Sequence, residues 1–361
     1  MKILYAIQGT GNGHLSRARD IIPLLQQHGE LDILVSGIQA DVELPYLVKY
    51  RFNGLSFIFG KNGGVDLLAT FRKSNLKKLL KEIKSLPVQD YDLVINDFEP
   101  VSAWACRRIH KECIGLSHQA AVINSNSPKP KEKDTIGKAI LQNYAPVTRN
   151  YGFHFEAYDR HISTPVIRGQ IREAFPQTGD HYTVYLPAYN DKRIIQTLSL
   201  ISGIIWEVFS KNSKEEYSVE NVHIRPIDND RFIDSMVNCT GILCGAGFET
   251  PAEALFLKKK LLVIPMKGQY EQQCNAAALK AIGVTVVKSL KKKNAEKIRL
   301  WTEAGLVIPV DYPDVTAGII LEIIDHKNKP KSKLIPAISS FSVRKFKKVS
   351  LDVLLDQKDP D

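Results

Sequence analysis

A histidine stands directly after three glycines in Gly9-Thr10-Gly11-Asn12-Gly13-His14, between an apolar run and an amphipathic segment. Glycine lets the backbone turn sharply and approach a ligand with no side chain in the way. A helix opening here presents free N–H groups and the positive end of its dipole, a seat for an anion or a developing oxyanion. The same dipole disfavours a second positive charge, so a neutral imidazole at His14 suits general-base work. The plainer alternative is a tight turn without a ligand, its histidine bonding the backbone. A nicotinamide dinucleotide does not fit. Its fingerprint is G-x-G-x-x-G with an acid closing the second strand. Here His14 replaces the third glycine, and the second apolar run closes on Val35-Ser36-Gly37.

A second turn of this kind is Cys244-Gly245-Ala246-Gly247-Phe248-Glu249-Thr250-Pro251-Ala252-Glu253. Gly245 and Gly247 open the backbone on either side of Ala246, and the N–H groups of this turn around Phe248 and Glu249 suit a diphosphate. Thr250 or Glu249 suits a helix cap and Pro251 its first turn. Glu253 lies one turn beyond Glu249 on the same face, placed to accept from both hydroxyls of a ribose. Otherwise Glu249 is a dipole partner and Glu253 a surface charge. In the third motif, Gly268-Gln269-Tyr270-Glu271-Gln272-Gln273-Cys274-Asn275-Ala276, acid and amide groups at a helix start can read sugar hydroxyls. Ordinary capping is the alternative there.

Weaker candidates close other strands. Asp97, before Phe98-Glu99-Pro100, sits where open α/β sheets place ligands, as an orienter of a base or as a cap. His118, in Ser117-His118-Gln119, has the same standing. Arg225 faces a phosphate or is a surface charge. Asp228-Asn229-Asp230 has the look of a metal site but reads better as the start of the next helix, since Asp and Asn are common caps.

The elements that must position these residues alternate between strand and helix. Residues 2–7, 31–35, 91–97 and 113–116 read as buried strands, with helices at 15–27, 67–83 and 101–109. Residues 124–131 form a polar, proline-bearing loop. After a linker around 164–165 and 170–180, strands at 182–186, 204–209, 222–225, 242–244 and 261–264 repeat the architecture but not the residues. The expected fold is α/β, two Rossmann-like doubly wound domains at 1–165 and 166–325, with a tail over 326–361. The 361 residues fit two domains and an ordinary globular composition, 44% hydrophobic and 24% charged. No run is long enough to span a bilayer, and the N-terminus reads as a first strand, not a signal peptide. Five unpaired cysteines read as reduced thiols, hence a cytoplasmic protein. The net charge of +10 favours anionic partners without choosing among them.

Together these motifs resemble the GT-B glycosyltransferases, in the branch of the peptidoglycan N-acetylglucosaminyltransferase and the UDP-glucuronosyltransferase-like enzymes. The likeness rests on the glycine turn ending at His14, on Gly245-Ala246-Gly247 with Glu253, and on Glu271-Gln272-Gln273-Cys274-Asn275-Ala276 with Leu279 and Gly283-Val284. It covers about residues 1–325. The resemblance implies two domains across a cleft, the first for an acceptor and the second for a nucleotide-sugar. It implies that Glu253 grips the donor ribose, that Gly245 and Gly247 serve the diphosphate, and that Glu271 and Gln272 touch the donor sugar. His14 becomes the candidate base, and neither metal nor other cofactor is implied. One departure is Leu186-Pro187-Ala188-Tyr189-Asn190, where a Gly/Ser-rich turn belongs.

The leading expectation is an inverting transfer from a nucleotide-sugar, a UDP-sugar first, to a hydroxyl of a glycan or lipid-linked acceptor of the cell envelope. A nucleotide-sugar epimerase or hydrolase of the same fold stays open, because fold does not decide reaction. So does a non-catalytic nucleotide-sugar or glycan binder. Nucleic acid is not among the expected partners. The basic helix at residues 76–84 carries an apolar stripe, which adds an expected peripheral contact with anionic bilayers at the inner face of the membrane.

Overall fold

The computed structural model describes residues 1–10, 12–37, 44–55, 76–132 and 134–328. Two seven-stranded sheets follow one another along the chain. The first contains β1 (Lys2–Gln8), β2 (Glu30–Ser36), β3 (Tyr50–Phe52), β4 (Leu93–Asp97), β5 (Ile114–Ser117), β6 (Arg149–Phe153) and β7 (Ile162–Ser163). All its pairings are parallel, in the order β3-β2-β1-β4-β5-β6-β7. The second contains β8 (His181–Tyr185), β9 (Ile205–Ser210), β10 (Tyr217–Val219), β11 (Val222–Pro226), β12 (Gly241–Gly245), β13 (Lys260–Ile264) and β14 (Thr285–Val286). Its order is β10-β11-β9-β8-β12-β13-β14, parallel except for the β10–β11 hairpin. In both sheets the chain works outward from the first strand and then continues on its other side. That puts a topological switch point between β1 and β4 and another between β8 and β12, where such sheets bind ligands.

The continuous apolar runs follow from burial on both faces. Ile3, Tyr5 and Ile7 of β1 face one core cluster, while Leu4 and Ala6 face another. In the second sheet Ile242 and Cys244 face the first of these clusters, and Leu243 faces a third. The cluster holding Ile3 and Ile242 is therefore shared by both halves. The helix Leu76–Ser85 turns Leu79 and Ile83 into the cluster holding Leu4. Its apolar stripe packs into the protein's own core, and its lysines face outward. The part of that helix expected over residues 67–75, and the tail from 329 onward, lie outside the described residues.

Two stretches of chain cross between the halves. One, residues 164–180, contains the short helix Gly169–Arg172. The other, residues 305–315, leads to the helix Thr316–Asn328, which packs back on the first half. Ile320 and Ile323 of that helix are fully buried, Tyr151 donates to Glu322 at 3.4 Å, and His326 lies 3.3 Å from Glu112. The crossings touch where Arg172 donates to the Tyr312 carbonyl at 2.9 Å. All five cysteines are buried and unbridged. Among the described residues no helix is long and apolar enough to cross a membrane.

Candidate active site

The first switch point is built from the glycine turn after β1 and the end of β4. The helix Asn12–Gln26 opens inside the glycine turn, which puts His14 in its first turn. His14 Nδ1 lies 2.8 Å from Asp97 Oδ1. An ionised carboxylate only accepts, so this contact is completed by the tautomer with its proton on Nδ1, an atom that also lies 3.2 Å from an Arg17 terminal nitrogen. Asp97 is fully buried, while the His14 side chain keeps 12% of its surface exposed and points Nε2 toward Gln119 at 3.4 Å. After Asp97 the chain turns through Phe98 at φ 55°, a left-handed conformation costly for a bulky residue. Asn96 secures that turn: its side chain donates to the Glu99 carbonyl at 2.7 Å and accepts from the Glu99 N–H at 3.1 Å.

Arg17 lies on the same helix face as His14, three residues on, and is 2% exposed. One terminal nitrogen spans both Asp97 oxygens at 2.8 and 2.7 Å and lies 3.2 Å from His14 Nδ1. The other pairs with Glu249 from the second half. Burial pushes the Asp97 carboxyl up, but Arg17 and His14 outweigh burial and hold it below the ordinary carboxylate range.

Not every expected residue takes its expected place. Gly9 is packed where a Cβ would sit 2.8 Å from Val35 and 3.1 Å from the Ser36 carbonyl. Thr10 follows it and Asn12 begins the helix; Gly11 lies outside the described residues. Gly13 lies against the Glu249 carboxylate. The cap before Glu249–Phe256 is Phe248, whose ring has no hydrogen-bonding group, and the Glu249 carboxylate is turned to Arg17.

His118 does not stand free as a catalytic group. It is 1% exposed in a short helix, His118–Ile123, that the sequence pattern does not reveal. Its ring stacks on Phe248 at 3.8 Å, and its two nitrogens lie 2.8 Å from the Phe153 carbonyl and 2.8 Å from Asn275 Oδ1. Asn275 meets His118 across the halves and donates to the Ala246 carbonyl at 3.1 Å; it is fully buried, which takes it away from a sugar hydroxyl. Burial lowers the affinity of His118 for a proton, partly offset by Glu271.

Glu253 departs most from its expected role. It is 2% exposed, and both oxygens are taken by Arg168 at 2.5 and 2.7 Å. Burial pushes its carboxyl up and Arg168 pulls it part of the way back. In this conformation a ribose would have to displace Arg168. Arg225 is remote, on β11 and paired with Glu207 at 2.6 Å. Asp228 caps Asn229–Asn238 by accepting from Arg231 N–H at 2.9 Å, as its sequence reading has it.

Open space remains at the second switch point. A Cβ on Gly247 would meet nothing within 4 Å, and one on Gly245 would meet only Gln272 at 3.8 Å. Gln272 is oriented by accepting from Met266 N–H at 2.9 Å. Glu271 accepts from Gln119 at 3.1 Å, which brings it to the side of His14. Arg17, Gln119 and Arg168 are therefore site residues that the motifs did not reveal. None of the three carries a signal of its own in the sequence: each is defined by a partner far along the chain.

Two Rossmann-like sheets facing each other through their switch points define the GT-B glycosyltransferase fold. The chain belongs to glycosyl transferase family 1, whose model matches residues 1–303. MurG of Acinetobacter baumannii is similar in structure with a TM-score of 0.53 at 15% identity, over 90% of this chain and 100% of that one. UGT89C1 of Arabidopsis thaliana, complexed with quercetin, gives 0.56 at 11% identity over 91% and 94%. LpCGTa in complex with UDP gives 0.54 at 11% identity over 91% and 94%. At such identities the likeness establishes the fold. No curated protein sequence matches the chain.

Proposed function

We propose that this glycosyltransferase moves a sugar, with inversion, from a UDP-sugar to a hydroxyl acceptor bound beside the glycine turn. The observation that carries the reading is the His14–Asp97 pair at 2.8 Å, its acid buried and its histidine side chain 12% exposed, with Nε2 3.4 Å from the Gln119 amide nitrogen. His14 Nε2 takes the acceptor hydroxyl proton as the acceptor oxygen attacks the anomeric carbon. The bond from that carbon to the diphosphate breaks, and its electron pair leaves with UDP. Asp97 holds the tautomer and stabilises the imidazolium that forms. The open turn at Gly245 and Gly247 receives the diphosphate, and Glu271 and Gln272 lie near enough to read the sugar. UDP is bound in structures of two proteins of this fold, UGT89C1 and LpCGTa, which supports UDP as the nucleotide.

An epimerase or hydrolase would need free carboxylates around the anomeric carbon. Asp97 and Glu249 are both engaged by Arg17, which favours transfer. A glycan or lipid-linked acceptor, cytoplasmic residence and contact with anionic membranes belong to the same proposal. With the stripe of Leu76–Ser85 buried, such contact would be made by the helix's outward lysines. The test is thermal shift against UDP, GDP and TDP sugars, then turnover of the best donor with and without hydroxyl acceptors. Acceptor-dependent UDP release supports transfer. Equal release without acceptor replaces it with hydrolysis, and binding without turnover under any condition replaces it with a binding module.

A further inference from the structure

We infer that Arg17 is a positioning residue through which the second half of the chain, by way of Glu249, sets the proton affinity of the His14–Asp97 pair. The inference rests on the reading of His14 as the base. His14, Arg17 and Asp97 belong to the first half, and Glu249 to the helix that follows Gly245 and Gly247 in the second. A guanidinium that served only Asp97 would stop within the first half. This one is 2% exposed and bridges two carboxylates from opposite sides of the cleft. Burying it is costly, and the two carboxylates with their aligned bonds offset that cost. Gly13 is what admits the arrangement, because a Cβ there would collide with the Glu249 carboxylate.

The charges have definite consequences. With Asp97 and Glu249 ionised and Arg17 positive, the closed cluster carries one net negative charge before His14 takes a proton. The imidazolium brings it to neutrality. Separating the halves removes Glu249, leaves Arg17 and Asp97 neutral together, and makes His14 a poorer proton acceptor. Closure of the cleft thus readies the base. Arg17 prevents the opposite error: without it two carboxylates would hold the imidazole charged before the acceptor arrives. The other ionisable groups around the cluster do not cancel this logic. Tyr5 is buried, which raises its phenol well above its ordinary range and keeps it neutral. Burial favours neutral His118. Glu271 reaches His14 only through Gln119.

The test uses the full chain labelled with [15N]histidine, with His14 signals assigned by their loss in His14→Gln. Opposite shifts are expected. Arg17→Gln raises the midpoint of the His14 titration by about one pH unit, and Glu249→Gln lowers it by about half a unit. Arg17→Lys, which keeps the charge and loses the fork, stays near the wild type. With a working donor and acceptor, Arg17→Gln lowers kcat by roughly 10- to 100-fold while donor KM stays within about twofold. Should Arg17→Gln fail to fold, Glu249→Gln decides alone, since the Glu249 side chain is 25% exposed and its loss is tolerable. Midpoints that do not move, or that move in the same direction, overturn the inference. Opposite shifts in a protein that transfers no sugar keep the charge coupling and defeat only the assigned reaction.

Discussion

The two switch points share a topology and differ in what fills them. At the first, glycines serve packing: Gly9 lies against Val35 and Ser36, Gly13 against Glu249, and the space beside them is taken by the charges of Asp97 and Arg17. At the second, Gly245 and Gly247 border open space, with one oriented amide at Gln272 nearby. The same strand–glycine–helix motif therefore makes a filled, charged end and an empty one. The filled end suits proton transfer, because groups that act on a proton must be held in place beforehand. The empty end suits a large anionic ligand, because backbone N–H groups need room more than they need neighbours.

The largest effects should come from breaking the filled end. His14→Ala should lower kcat by roughly 10²–10⁴-fold, the scale of lost general-base catalysis, and abolish the acidic limb of the pH–rate profile. Donor affinity should hardly change; a near-normal kcat would take His14 out of the base role. Arg17→Met leaves Asp97 buried without its cation and should cost about 3–5 kcal/mol of stability in denaturant titration. Glu253→Ala should cost stability of similar size by stranding Arg168. If Glu253 also releases Arg168 to bind ribose, the same variant loses about 1.5–3 kcal/mol of donor affinity; unchanged affinity in folded protein would leave Glu253 as a structural partner only.

Smaller effects sharpen the contrast. Gly9→Ala should destabilise by about 1–3 kcal/mol through overpacking. Gly247→Ala should leave stability within about 0.5 kcal/mol of the wild type, while weakening UDP binding by isothermal calorimetry. If Gly247→Ala destabilised as much as Gly9→Ala, the contrast between filled and empty ends would be lost. A pH effect belongs to the seam between the halves. His154 is fully buried, accepts from Phe155 N–H at 2.9 Å, and among the described residues leaves Nε2 without a partner. Burial holds its proton affinity well below the ordinary histidine value of 6.5, so the unfolded chain takes up a proton first. Its contribution to stability is therefore complete above about pH 6.5 and is lost as the pH falls, by up to about 1.4 kcal/mol per pH unit. His118 acts in the same sense. Denaturant midpoints at pH 7.5 and 5.5 should differ, and His154→Asn should narrow the gap.

The sequence made most of the fold legible, because a strand buried on both faces is written as an unbroken apolar run. Residues 242–244, 261–264 and 2–7 each lie within an observed strand. The short helix His118–Ile123 escaped because six residues give too little periodicity. Of the site, residues next to glycines were visible and residues defined by distant partners were not. Arg17 reads as one polar residue on an amphipathic helix until Asp97, 80 positions away, is folded against it. Arg168 falls between the two stretches read as linker, and nothing near it in sequence announces Glu253. The same blindness hid the contact between His118 and Asn275, which meet across 157 positions of sequence.

The second crossing between the halves has a mechanical meaning. A body tied to another by one cord can swing and twist about any axis. Tied by two cords lying side by side, it behaves like a door on two knuckles and keeps one easy rotation, about the line through both. Here the knuckles are residues 164–180 and 305–315, joined where Arg172 meets the Tyr312 carbonyl. The helix Thr316–Asn328, anchored by buried Ile320 and Ile323, is the screw that fixes the second knuckle to its frame. Any opening of the cleft is thereby steered along one path, and each return along it brings Glu249 back to Arg17 in register.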